Sequence, residues 1–589
     1  MSITYSDVII TSAPDIDLFI KKAKFKDLLV LCDNLLSNED LSKSDILFLS
    51  ILKSWGLLWR SKLIPEGIFD ALTIAEEVYR KVTEENIEQI HCDATLLYIW
   101  ARITFDEDKL SFEVNEKEEF ARIFENKFNI SVEEFSKKEQ LENYLIMLDE
   151  CEKTLNSYKD FITPFGNNER LQILKLRRKI YDLKNEDEKV HEYILLTLKE
   201  AETIKNFLEI ALANWHLGMH FHFIKREMDK AYKYYYKGLN QFSKLDYKYW
   251  IAQCQFRIGN YWYFKGYPKK AQEYYEKAKK LSKKLNRKIL YHLLIEVSAP
   301  NYSLQGDYQY ALELGNKALS YYYQNNLSFN IAQSLFAISK IYLEMDQHPQ
   351  AKEFLDKSYK TLNEVKSEPQ YAFKLSEIHY TFVRFLIKQD LLTEAKSHLK
   401  ELENIANEKK DNKFIQLYYK ISKALILKES SRVTHLSDSQ RLFYEIIEEN
   451  INFLLTTLAL LSLAELLLKE FTFTNDDEII KELLEIIEKM YQFGQNYSGP
   501  YFIEVLIVKS KLETLQANFD KASDFLHEAE QIIADREYFF LEKKITNEIN
   551  TFQTTLKRST FTTDDATLRE KLELLHLENY LAEAKKVIK

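Results

Sequence analysis

An alanine recurs at a fixed interval of 40 residues, at Ala231, Ala271, Ala311 and Ala351, within a chain of 589 residues. Self-similarity at a period of roughly 20 to 50 residues marks a repeat array, in which each unit buries its apolar face only by stacking on its neighbours. Each alanine stands in a similar frame, most completely in Ile258-Gly259, Trp262, Gly266, Ala271, Tyr275 and Ala278. Ile258 and Trp262 lie one turn apart on a first helix, beside Gly259, whose missing side chain admits close approach of a partner helix. Gly266 permits a turn, and Ala271, Tyr275 and Ala278 at i, i+4 and i+7 form the packing stripe of a second helix.

The same grammar appears upstream in Leu217-Gly218, Phe221, Ala231 and Tyr235, with one extra residue in the turn. It continues in Ala299, Tyr302, Gly306, Ala311 and Ala318, and then in Ser339, Tyr342, Ala351 and Leu355. This small-aromatic-glycine-alanine pattern resembles the tetratricopeptide repeat in its longer form, as in kinesin light chains, Pins-type spindle adaptors and the sensor regions of bacterial quorum-sensing regulators. The likeness covers Ile210 to Ser358. It implies an all-α, right-handed superhelical solenoid whose first helices line a concave groove, and a non-enzymatic adaptor or scaffold binding a peptide or helical segment of another protein.

Composition agrees with long helices and few turns, since only 11 Gly and 8 Pro are present. A formal charge of -10 gives no whole-chain affinity for nucleic acid or anionic membrane. Cys32, Cys92, Cys151 and Cys254 are far apart, so neither a disulfide framework nor a zinc ribbon is encoded, and a reducing cytoplasm is the expected setting. The first residues, MSITYSDVIITSAPDID, lack the basic start and apolar core of a signal peptide. The apolar run Ile451 to Leu468 is interrupted by Asn452 and Glu465 and reads as a buried repeat helix, not a membrane span.

Four regions are expected. Residues 1–205 form a helical region with degenerate repeats, one of them around Trp55-Gly56, Trp59, Gly67, Ala71 and Tyr79, and a charged irregular segment near 106–139. Residues 206–550 form the solenoid; Ala395 and Ala522 extend it, with room between them for two degenerate copies. Residues 551–565, rich in Thr and Ser, read as a polar connector, and 566–589 as an amphipathic helix that caps the array or binds another protein. Pro300, inside a first helix, is expected to kink or open the stack there.

In the tetratricopeptide register the groove residues are Trp215, Met219, His222 and Phe223 in one copy, Gln253, Phe256, Asn260, Tyr263 and Phe264 in the next, and Gln333, Phe336, Lys340 and Glu344 further on. Gln253, Asn260 and Gln333 would hydrogen-bond a peptide backbone while Phe256 and Phe336 hold its side chains; the competing reading makes both Phe residues inter-repeat core. Between 225 and 288 the chain carries 18 Lys or Arg against 5 Asp or Glu, including Lys269, Lys270, Lys279, Lys280, Lys283 and Lys284. This stretch reads as a solvated outer face, as an attractor of an acidic peptide, or, less favoured, as a single-stranded RNA surface. A peptide-responsive sensor stays open as an alternative, and self-association is undetermined. His216, His220 and His222 lack a completing carboxylate or cysteine at helical spacing, so no metal is expected. With no Gly-rich phosphate loop, HExxH or GxSxG, no cofactor and no catalytic residue are nominated.

Overall fold

The computed structural model describes residues 6–21, 25–61, 68–108 without 86, 140–155, 168–556 without 185, 226, 367–369, 411, 475, 497–498 and 517, and Leu581. Among these the chain is all-α, with 25 helices and no strand. In chain order they are α1 (Asp7–Lys21), α2 (Phe25–Leu36), α3 (Lys43–Ser61), α4 (Ile68–Glu84), α5 (Glu88–Asp108), α6 (Leu141–Thr154), α7 (Glu169–Leu183), α8 (Asp187–Thr203), α9 (Phe207–Phe223) and α10 (Met228–Lys244). Then follow α11 (Lys248–Phe264), α12 (Pro268–Lys284), α13 (Lys288–Leu304), α14 (Tyr308–Gln324), α15 (Ser328–Glu344), α16 (His348–Leu362), α17 (Tyr371–Lys388) and α18 (Leu392–Glu408). The chain continues through α19 (Lys413–Lys428), α20 (Val433–Glu449), α21 (Phe453–Thr474), α22 (Asp477–Asn496), α23 (Pro500–Leu515), α24 (Phe519–Arg536) and α25 (Glu542–Leu556).

Helices α10 to α15 are each 17 residues long. Their regularity is set at the turns. Asp246, Gly266, Asn286, Gly306, Asn326 and Asp346 all take positive φ, between 50° and 84°. These are the residue types that tolerate the left-handed region, Gly for want of a Cβ and Asn or Asp through local hydrogen bonding. Each is followed by a residue whose N–H reaches back five positions, as Tyr267 N does to Trp262 O at 2.8 Å and Leu327 N to Tyr322 O at 3.0 Å. Such bonds satisfy carbonyls that a helix end would otherwise leave orphaned. The turn after α9 is longer, with Ile224 to Glu227 in place of the three-residue turns.

Packing follows the predicted frame. Ala231, Ala271, Ala311, Ala351, Ala395 and Ala522 are all fully buried. Two helix pairs, α19/α20 and α21/α22, fill the interval before the pair that carries Ala522. The apolar run becomes α21, buried in the core formed by α19 to α24, and no described helix is long and apolar enough to cross a membrane. Helix α13 runs through Pro300 without interruption, so the expected break is not a helix end. Helix α25 carries regular structure into 551–556; the remainder of the connector, the terminal helix apart from buried Leu581, and 109–139 lie outside the described residues.

The chain divides into two compact units, one of residues 1–258 and 274–291, the other of 259–273 and 292–589. In the first, one continuous core links α2, α3, α4, α5, α7 and α9. In the second, residues far apart in sequence meet: Tyr538 Oη donates to Gly266 O at 2.6 Å, and Arg536 donates to Lys265 O at 3.0 Å and to Tyr267 Oη at 3.1 Å. The Arg536 guanidinium lies 4.1 Å from the Tyr267 ring centre, and Glu537 pairs with Lys269.

Candidate functional site

The second unit carries a groove of about 480 Å³. It is lined by Lys340, Leu343 and Glu344 of α15 with Asp346 after it, by Glu377, Tyr380, Thr381, Arg384, Phe385, Ile387 and Lys388 of α17, by Tyr418, Leu425 and Lys428 of α19 with Glu429, and by Leu454, Leu455 and Leu458 of α21 with Asn452. These are the first helices of four consecutive pairs. None of the lining comes from the second helices α16, α18 or α20, so the opening follows the inner face that stacking of helix pairs creates.

Charged rungs hold that face. Lys388 Nζ sits 2.7 Å from Asp346 Oδ1, Lys428 Nζ 2.7 Å from Glu465 Oε2, and Lys374 Nζ 2.6 Å from Glu377 Oε2. Burial works against the Glu377 carboxylate, but Lys374 and Lys340 prevail and hold it below the usual range. Burial pushes the Tyr380 phenol up, with Arg384 opposing, its Nη1 donating to Tyr380 Oη at 3.3 Å. Tyr380 therefore stays a neutral hydrogen-bonding group at any ordinary pH. With Lys340, Arg384, Lys388 and Lys428 set against Glu344, Asp346, Glu377 and Glu429, the wall presents both signs above a floor of Leu, Tyr and Phe. Such a surface suits a polypeptide segment of mixed charge and some apolar side chains; nothing in it selects an acidic one.

Of the groove residues expected from sequence, Lys340 and Glu344 line this opening. Trp215, Met219 and Phe223 line a separate cavity in the first unit. His222 is buried, its Nδ1 3.3 Å from Tyr235 Oη, and belongs to the contact between α9 and α10. Phe256 packs on Tyr275 with ring centres 6.4 Å apart, and Phe336 lies in the core of α15 to α18, so both are interior residues. Gln253 is half-buried and donates to Tyr249 Oη at 3.1 Å; Asn260 and Gln333 are half-buried, and Phe264 is exposed. Burial, then the charges of Glu344 and Tyr538, push the Tyr263 phenol up.

The six lysines all sit on α12, a second helix. Lys280, Lys283 and Lys284 are exposed, Lys279 pairs with Glu276, and Lys270 Nζ lies 4.5 Å from the Trp262 ring centre. Among the described residues no three His, Cys, Asp or Glu side chains are grouped to hold a metal ion. The sequence reading missed Tyr380, Arg384, Lys388, Tyr418 and Lys428. Their one visible signal is the i, i+4, i+8 series Tyr380, Arg384 and Lys388 along one face of α17.

No family model and no curated protein matches the chain. Solved structures similar to it include a Rap protein complexed with competence and sporulation factor, at 14% identity over 77% of this chain and 99% of that one, with a TM-score of 0.45. NprR in complex with its cognate peptide NprX is similar at 17% identity over 67% and 98%, with a TM-score of 0.41. A signal-transduction ATPase with a tetratricopeptide repeat sensor from Pyrococcus horikoshii is similar at 14% identity over 71% and 68%, with a TM-score of 0.36.

Proposed function

We propose that the chain is a non-enzymatic adaptor that binds an extended or helical segment of another protein in the groove of the second unit. The observation that supports this reading is the lining itself: four consecutive first helices, and none of the intervening second helices, supply an apolar floor with charged rungs of both signs. Side chains on a rigid stack of helices present hydrogen-bond donors and acceptors at little ordering cost, which favours capture of a flexible segment. The groove is tested by peptide display against the intact chain, followed by calorimetry of the recovered peptides on wild type and Leu454→Trp, which fills the opening from a half-buried position. Binding should fall at least tenfold with the denaturation midpoint unchanged. Unaltered affinity in a folded variant would place the peptide elsewhere.

A second reading, a peptide-responsive regulator, draws on the contact of Arg536 and Tyr538 with the turn at 265–267. A ligand on the inner face that changed the stacking angle of the intervening pairs would load that contact. Small-angle scattering with and without peptide separates the two, since a static adaptor keeps one radius of gyration.

A further inference from the structure

The first unit holds a second opening, a cavity of about 390 Å³ between α5, α7, α8, α9 and α11. The charges in its lining balance one another. Lys175, Arg178 and Lys179 of α7 are matched there by Asp182, Asp187 and Glu209. Lys175 Nζ lies 2.5 Å from Glu209 Oε1, and Arg178, Lys179, Asp182 and Asp187 all have interactions of their own. A charged ligand would lose its hydration here and find no uncompensated counter-charge in exchange. The rest of the lining holds no acid, Lys or Arg, and the exposed Phe223 and Ile224 mark its open side.

That uncharged part is aromatic and held in place. Trp250 stacks on Phe242 with ring centres 5.7 Å apart and meets Trp215 edge to face at 4.8 Å. Walls already fixed by packing contact a flat ring without a further ordering cost. His220 lines the same cavity. It is 3% exposed, its ring stacks on His191 with centres 4.5 Å apart, and neither of its nitrogens has a hydrogen-bond partner. Burial, then the charges of His191 and Lys225, push it down to about 4 with Glu188 opposing, so the ring is neutral at pH 7. A neutral imidazole has one nitrogen that donates and one that accepts. Buried polar groups are nearly always paired, so an unpaired imidazole in a cavity wall is a place for a ligand to complete the pairing.

We infer that this cavity binds a small uncharged aromatic molecule carrying a hydroxyl group, its ring against Trp215 and Trp250 and its hydroxyl hydrogen-bonded to His220. A hydroxyl both donates and accepts, so it serves the imidazole in either tautomer, which a carboxylate or an ammonium group does not. A small turn of the His220 ring, which ring contacts hold and no hydrogen bond restrains, brings a nitrogen to the cavity surface. The site lies wholly within the first unit and does not depend on the groove of the second.

The test follows, by fluorine NMR at pH 7, four ligands of similar shape against the full-length protein: 6-fluoro-2-naphthol, 2-fluoronaphthalene, 6-fluoro-2-naphthoate and the 6-fluoro-2-naphthylmethylammonium ion. The naphthol should bind at least about tenfold more tightly than either ion and at least about threefold more tightly than fluoronaphthalene. His220→Phe keeps a ring and removes both nitrogens, so it should abolish the preference for naphthol while fluoronaphthalene still binds. Ala213→Phe, which adds a ring to the lining, should weaken both by about tenfold or more. Leu454→Trp, which fills the groove of the second unit, should change neither. Equal or tighter binding of either ion, or no binding of the naphthol at millimolar concentration, would overturn the proposal. So would a naphthol preference that survives in a folded His220→Phe, or loss of binding in Leu454→Trp.

Discussion

Two glycines in neighbouring helices of the first unit should respond unequally to the same substitution. A Cβ added at Gly218 in α9 would lie 2.6 Å from both Cδ1 and Cε1 of Tyr235, closer than real Cβ contacts come. The tyrosine has little room to retreat, being almost wholly buried with its hydroxyl 3.3 Å from Met219 Sδ and from His222 Nδ1. Gly238 in α10 differs. A Cβ there meets nothing nearer than 3.6 Å, an ordinary contact. Replacing a helical Gly by Ala stabilises by about 1 kcal/mol, and overpacking a rigid contact costs about 1–3 kcal/mol. Because the helix-propensity gain is common to both variants, the difference between Gly218→Ala and Gly238→Ala isolates the overpacking cost. Gly238→Ala should stabilise by up to about 1 kcal/mol, and Gly218→Ala should fall about 1–3 kcal/mol below it. Urea denaturation followed by circular dichroism measures the gap, and hydrogen exchange within α9 and α10 localises it, since a repeat array need not unfold as one unit. If Gly218→Ala proves as stable as Gly238→Ala, the close α9–α10 contact and the repeat register built on it are both misplaced.

Three further outcomes are expected. Tyr538→Phe removes the donor to Gly266 O and should cost about 1 kcal/mol, with faster proteolysis in the turn after α11; an unchanged cleavage rate would mean that the contact carries no load. Gly306→Ala should destabilise by at least about 1 kcal/mol, because the position holds φ of +84° and its Cβ would come 3.0 Å from Phe540 Cβ; a neutral result in thermal unfolding would contradict the left-handed turn. Glu296 accepts from Tyr322 Oη at 3.1 Å, and burial raises its carboxyl to about 7 despite that hydrogen bond, the nearby Ser334 hydroxyl and the charge of Lys374. A raised folded value means that the folded state binds the extra proton, so this group's contribution is intact below the unfolded value near 4.5 and is lost as pH rises through 7. Glu296→Gln should therefore gain stability relative to wild type between pH 5 and 8, which denaturation at several pH values would show; a constant gap across that range would refute the assignment.

The helix pairs were legible because their grammar is local. Ala271, Tyr275 and Ala278 share one face whatever the neighbours do, and Gly266 is a turn in any context. A second regularity was equally open to reading and went unread: Asp246, Gly266, Asn286, Gly306, Asn326 and Asp346 alternate three residue types that tolerate the same left-handed conformation. The groove was harder to find. Tyr380, Arg384 and Tyr418 belong to helices beyond Ser358, where the small positions persist at Ala395 but the aromatic and glycine positions do not, so the register could not be carried over. Phe256 and Phe336 show the complementary difficulty, since a Phe near the edge of a helix face turns to core or groove according to how the next helix is rotated, and spacing does not encode that rotation. Lys175, Arg178 and Lys179 look on paper like the solvated face of a charged helix. Only the packing of the following helices and of α5 and α11 around α7 encloses them.

The docking of Arg536 and Tyr538 on the turn at Gly266 turns the number of intervening repeats into a geometric constant. An open stack of helix pairs accepts the insertion or loss of a pair with little more than a change of length, since each pair touches only its neighbours. Here six complete pairs, α13/α14 through α23/α24, must together sum their rotations and rises so that one particular turn meets one particular tyrosine. A duplicated or deleted pair would miss that target by the full offset of a repeat. Variation in this part of the chain is therefore channelled into side chains and single turns, and the repeat count itself becomes a heritable dimension of the protein.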